Sequence, residues 1–195
     1  MTLLLRVLSL ALISLTIVSS PVEGQDVSIL ARGAITLPVD DFGDRSDWSG
    51  GLGGTLFVKL VPPLSAYAGY QFETFECSGC EGTSFETDGL EAGLRLGVGW
   101  WRGIEQWIQV GVVYLRLDEE DGPFVAASDR DLGFQGAVGL DIPLTSEFSI
   151  SPALRYQAWT AEWPSEGGAS PEATDFEREV RSLALDLGLK LRVGH

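Results

Sequence analysis

The stretch that decides the fold is SLALDLGLKLRV, Ser182 to Val193. Leu183, Leu185, Leu187, Leu189, Leu191 and Val193 alternate with Ala184, Asp186, Gly188, Lys190 and Arg192. A period of two places successive side chains on opposite sides of a pleat, so this is a β-strand. One of its faces is wholly apolar and the other carries charges and small residues. The fold turns on which face points inward.

The same alternation recurs upstream. Strands are predicted at Val27–Leu37, Ser49–Val61, Ala66–Glu76, Gly89–Trp101, Gln106–Asp118, Asp131–Leu144, Phe148–Thr160 and Glu179–Val193. Each is long for a globular strand and matches the roughly 9–11 residues that cross a bilayer at a tilt. The connections alternate strictly between long and short. PVDDFGDRSDW, CSGCEGTSFETD, EEDGPFVAASDR and AEWPSEGGASPEATDFER are long; PPLS, RGIE and TSE are short. Up-and-down membrane barrels place short turns at one end and long loops at the other. Asp40, Asp41, Asp44, Asp47, Glu119, Glu120, Asp121, Asp129, Glu162, Glu166, Glu172, Asp175 and Glu177 gather at the long-loop end.

In GLEAGLRLGVGWW, Leu90, Ala92, Leu94, Leu96, Val98 and Trp100 oppose Glu91, Gly93, Arg95, Gly97 and Gly99. FSISPALRYQAW, DLGFQGAVGLDI and GLGGTLFVKLV divide in the same way. QWIQVGVVYLRLD does not, because Val110 and Val112 share the parity of Arg116, which a bulge or a partly apolar lumen would accommodate. A soluble barrel would turn the bulky face in; a membrane barrel turns it to lipid. The polar face is rich in glycine and small residues, which suits a crowded interior. All six tryptophans lie near strand ends, where interfacial aromatic girdles sit; Trp48, Trp100, Trp107 and Trp159 are assigned to those girdles. Eight long strands close without a free edge, as lipid requires. The expected fold is therefore all-β: an eight-stranded antiparallel up-and-down transmembrane β-barrel.

The alternating mature chain is similar to small bacterial outer-membrane β-barrels of the OmpA transmembrane-domain or OmpX type. Gly188, Leu191 and Val193 resemble the terminal insertion signal of such barrels, in which an aromatic residue stands where this chain has Gly194-His195. The resemblance implies residence in the outer membrane of a Gram-negative-type bacterium. It also implies outer-membrane lipids and the barrel-insertion machinery as partners, and a monomer without a cofactor.

Export is legible independently. Arg6 supplies a basic start, Val7 to Val18 an apolar run, and Val22-Glu23-Gly24 puts small residues at the two positions read at cleavage. Residues 1–24 are thus expected to be a signal peptide, and residues 25–195 the barrel domain. A net charge of −15 argues against nucleic acid, whose phosphates need clustered lysine and arginine. Cys77 and Cys80 are too few for a zinc site; in an exported protein they are expected to form a loop disulfide.

An eight-stranded interior is just wide enough for side chains to fill. The predicted lumen set is Arg32, Lys59, Arg95, Arg116, Arg155 and Lys190 with Glu73, Glu91, Asp141 and Asp186. Buried charges need partners, so a plug of ion pairs is expected, with Glu91 beside Arg116 and Arg155 close to Asp186. The only histidine is His195, which argues against a histidine-dependent triad, and the loop acids read as solvated charge. DDFGDRSD lacks the ligand series of a calcium loop, so no metal site is assigned. The expected function is non-enzymatic, structural or surface-interacting. The rivals are a narrow conduit and a soluble lipocalin-like barrel.

Overall fold

The computed structural model describes residues 26–39, 46–77, 83–121, 124–163 and 176–193. Its strands are β1 (Val27–Val39), β2 (Ser46–Val61), β3 (Leu64–Cys77), β4 (Thr83–Trp101), β5 (Ile104–Asp121), β6 (Phe124–Ala127), β7 (Asp131–Pro143), β8 (Phe148–Trp163) and β9 (Phe176–Arg192). All pairings are antiparallel. β1 pairs with both β2 and β9, and the β4–β5 pairing closes the ring. Eight strands form the wall. The short β6 pairs only with β5, within a connection expected to be loop.

Each predicted segment lies on one wall strand, but most strands run further toward the long-loop end. β4 has 19 residues and β5 has 18, well above the 9–11 that cross a bilayer. Thr83 pairs with Asp121, and Trp163 with Phe176. The reason is that pairing between neighbours continues wherever both backbones stay extended, whatever the side chains. Polar residues such as Glu86, Asp88 and Glu119 therefore sit on strands where composition suggested loops. At the other end, Arg102-Gly103 joins β4 to β5 with both φ angles positive, 52° and 84°. That is the primed two-residue turn whose twist suits a hairpin.

β9 turns its apolar face outward. Leu185 and Leu187 are each 62 % exposed, whereas Ala184, Asp186 and Ser182 are buried. Leu52 and Leu132, on β2 and β7, reach 72 %. Leucines turned outward around a closed wall make an apolar belt far larger than a soluble protein displays, so the lipocalin-like alternative does not hold. The chain is a membrane β-barrel, hydrocarbon-facing outside and filled by side chains inside.

The filling is layered. Along β8 the inward residues run Ser151, Ala153, Arg155, Gln157, Trp159 and Ala161, from the short-turn end to the long-loop end. The first part faces a mouth containing Trp107, Ala137 and Ala153, the middle a polar network, and the last an apolar cap. Phe75, Phe85, Val113, Leu115, Leu117, Trp159, Ala161 and Val180 form that cap. The lumen is thus partly apolar, and its hydrophobic core lies at the long-loop end.

Candidate functional site

Two arginines organise the middle layer. Arg32 on β1 grips Glu91 on β4 through two bonds, Nη1 to Oε1 at 2.8 Å and Nη2 to Oε2 at 3.1 Å. Its Nη1 also donates to Thr55 at 3.1 Å, and its Nη2 to Gln71 at 3.0 Å. Glu91 accepts further bonds from Thr55 at 2.7 Å and Gln135 at 2.8 Å. Arg155 on β8 grips Asp186 on β9 through Nε at 2.9 Å and Nη2 at 3.1 Å. It then reaches across the lumen to Glu73 at 2.8 Å and Gln71 at 3.0 Å on β3. Forked guanidinium–carboxylate contacts of this kind are strong and fix both partners in orientation.

Gln71, Gln135 and Gln157 join the two centres. Gln157 donates to Gln71 and to Gln135, each at 3.1 Å, and Gln135 donates to Tyr67 at 2.8 Å. Arg32 Nε lies 3.9 Å from Asp186 as well. A third ionic centre lies nearer the short-turn end. Asp141 accepts bonds from Lys190 at 2.6 Å, Ser151 at 2.7 Å and Trp107 at 3.1 Å, and Arg95 stands 3.6 Å away. The Arg95 guanidinium is clasped between the rings of Phe57 and Trp107, at 4.0 and 3.7 Å.

Eight of the ten predicted lumen charges meet here: Arg32, Arg95, Arg155 and Lys190 against Glu73, Glu91, Asp141 and Asp186. They balance four to four. Arg155 lies beside Asp186 because the two are diagonal neighbours on adjacent strands. Glu91, by contrast, is paired to Arg32 and not to Arg116.

Arg116 is outside the lumen altogether. On β5 the inward parity belongs to Trp107, Gln109, Val113, Leu115 and Leu117. Arg116 therefore projects outward with Val110, Val112 and Tyr114, bonded to Asp118 at 2.8 Å and close to Asp88 at 3.3 Å. There it joins a polar collar at the long-loop end, where Asp88 also binds Arg130 at 2.8 Å and accepts from Tyr70 at 2.6 Å. Apolar residues on both faces of β5 masked its parity; Gln109 was the usable signal. Lys59 also departs from the expected set. Its side chain is 43 % exposed and pairs with Asp26 at 2.7 Å, at the mouth rather than in the network.

Three of the four assigned girdle tryptophans are corrected as well. Trp48 is exposed on the outer wall, as is Trp101. Trp100 is exposed too, but the register shift between Gly97 and Gly99 pairs it with Glu105 and turns it to the short-turn mouth. Trp107 and Trp159 are buried in the lumen. Each faces a glycine of β7: Trp107 is paired with Gly139 and Trp159 with Gly133. A Cβ on Gly139 would approach the Trp107 ring to 2.3 Å, and one on Gly133 would meet the Trp159 Cβ at 2.3 Å. Parity was again the better signal than nearness to a strand end, since Trp159 shares the face of Arg155 and Gln157. Gly139→Val is accordingly expected to destabilise the barrel by about 1–3 kcal/mol through overpacking, read as a lower urea midpoint in vesicles. An unchanged midpoint would reject this packing.

Cys77 ends β3, while Cys80 lies outside the described residues. So do the 1–24 signal segment, His195, and the loop acids Asp40, Asp41, Asp44, Glu166, Glu172 and Asp175.

No family model and no curated protein matches this sequence. Solved structures do match. Neisserial surface protein A aligns with a TM-score of 0.66 at 13 % identity, over 88 % of this chain and 100 % of that one. The outer membrane protein OprG from Pseudomonas aeruginosa gives 0.59 at 12 % identity, over 88 % and 97 %. A major outer membrane protein from Thermus thermophilus gives 0.56 at 16 % identity, over 88 % and 100 %. At these identities the likeness is one of fold: the chain has the architecture of small outer-membrane β-barrels.

Proposed function

We propose that this protein is a non-enzymatic barrel of the bacterial outer membrane, closed to solutes by its own side chains, with a structural or surface-interaction role. The observation that carries the reading is Arg155. It is 1 % exposed and links Asp186 on one wall to Glu73 on the opposite wall. A solute moving along the axis would have to part these charges in a low-dielectric interior, where separating a buried pair is costly. Beyond them it would meet the apolar cap of Phe75, Phe85, Leu115 and Leu117, which offers an ion no replacement for its hydration.

The outward-facing end is the long-loop end, by the rule that periplasmic turns are short. The polar collar of Arg116, Asp88 and Arg130 then stands at the outer-leaflet boundary, and the acidic loops face the surroundings. This supports contact with the cell surface environment. Planar-bilayer recording tests the plug: purified, folded protein is expected to give a flat trace. Steady single-channel openings would replace this reading with the narrow conduit.

A further inference from the structure

β6 (Phe124–Ala127) stands last in the strand order of the sheet. It pairs with β5 on one side, and among the described residues nothing pairs with its other side. From this open edge we infer that the barrel captures an extended, basic peptide segment, which adds to β6 as a further strand. The inference rests on the reading that the long-loop end faces outward, and not on the plug.

The backbone is the first support. The Ser128 N–H donates to the Leu117 carbonyl at 2.9 Å. Antiparallel bonds alternate along a strand, so Ala126 and Phe124 also bond toward β5, opposite Glu119 and Asp121. The N–H and C=O groups of Val125 and Ala127 then point to the open side. The neighbouring wall does not cover them. Between the Leu115–Asp131 and Asp118–Ala127 pairs the register steps by one residue, and such a bulge bends a strand from its line. Pairing of β7 with β8 ends at Gly133 and Trp159, before β6 is reached. Natural edges are guarded by lysine, by proline or by a covering segment. Phe124-Val125-Ala126-Ala127 contains neither residue.

Charge sets the class of partner. The segment of β5 beside this edge is Asp118-Glu119-Glu120-Asp121. The connection 164–175, at the same end, adds Glu166, Glu172 and Asp175 without a lysine or arginine. With Pro164, Pro171 and the same sign of charge, that connection is itself ill suited to pair with β6. An incoming strand with lysine or arginine beside its paired residues suits both the backbone and the field. Height allows the approach. β5 has 18 residues, more than the 9–11 that cross a bilayer, and β6 lies against its last ones.

Two short synthetic peptides test this, one alternating lysine with valine and the other glutamate with valine. Each is titrated by fluorescence anisotropy into full-length protein folded in an uncharged detergent. Only the lysine peptide is expected to bind, and Val125→Pro is expected to weaken it about tenfold by removing an outward donor. The Val125 N–H does not bond to β5, so this edge proline leaves the β5–β6 pairing in place. Hydrogen exchange at the Val125 and Ala127 amides is expected to slow when the lysine peptide binds. Absence of binding, or equal binding of the glutamate peptide, would overturn the inference. So would binding that ignores Val125→Pro or leaves both amides at their free rate, which marks attraction by charge alone. A flat bilayer trace without peptide binding removes the edge site and keeps the plug; channel openings with peptide binding do the reverse.

Discussion

Arg155→Gln is expected to lower the unfolding free energy by about 3–5 kcal/mol, because breaking a buried pair leaves uncompensated charge behind. Arg155 is the shared cation of Glu73 and Asp186, and all three are buried. Removing it leaves Glu73 without its cation and Asp186 with only Arg32, 3.9 Å away, in a buried interior. Glutamine retains part of the length and can still meet Gln71, so the loss is one of charge rather than of volume. Unfolding by urea in phospholipid vesicles, followed by tryptophan fluorescence, measures it. Adding Glu73→Gln and Asp186→Asn should recover much of the loss, since replacing every member of a buried ionic group is far cheaper than removing one. An Arg155→Gln midpoint indistinguishable from the parent would show that the plug is not held by charge.

Leu187→Arg should cost about 2–4 kcal/mol of membrane stability, the value for a cation on the lipid face near the bilayer midplane. Leu187 is 62 % exposed and central in the outward apolar series from Leu183 to Val193, the last of which lies just past the end of β9. Val193→Arg, on the same face at the end of the series, should cost only about 0–1 kcal/mol, because the long side chain reaches the headgroups. The contrast reads depth in the bilayer. Equal costs for the two substitutions in a vesicle-folding assay would remove the membrane belt, and with it the inside-out arrangement.

How much of this was legible beforehand depends on the distance over which residues interact. Parity along a strand is local, so the faces of β9, β8, β7 and, up to the register shift at Gly97, β4 could be read residue by residue. Arg155 beside Asp186 was also legible, since consecutive strands of an up-and-down barrel pair with each other and both residues have lumen parity. Where a strand is apolar on both faces the signal fails, as on β5, where Arg116 was given to the lumen and Trp107 to the membrane interface. Weighting Trp159 by its closeness to a strand end failed for a related reason. A girdle requires an outward side chain as well as the right height, and parity placed Trp159 inside.

Contacts across the lumen were not legible at all. Arg32 meets Glu91 at a sequence separation of 59, from β1 to β4, and Arg155 meets Glu73 at 82, from β8 to β3. No turn links these strands directly, and their approach depends on how far the closed sheet is sheared and tilted.

By itself the sequence determined that the chain forms eight membrane-crossing strands, which side of most of them meets lipid, and where the short and long connections lie. These follow from a side-chain period of two and from the need to satisfy every backbone group in hydrocarbon. Only the tertiary structure decided which cation neutralises which carboxylate, that Gly133 and Gly139 make room for two tryptophans inside, and that an apolar cap seals one end. Those depend on barrel closure, which brings distant strands face to face across a space only a few side chains wide.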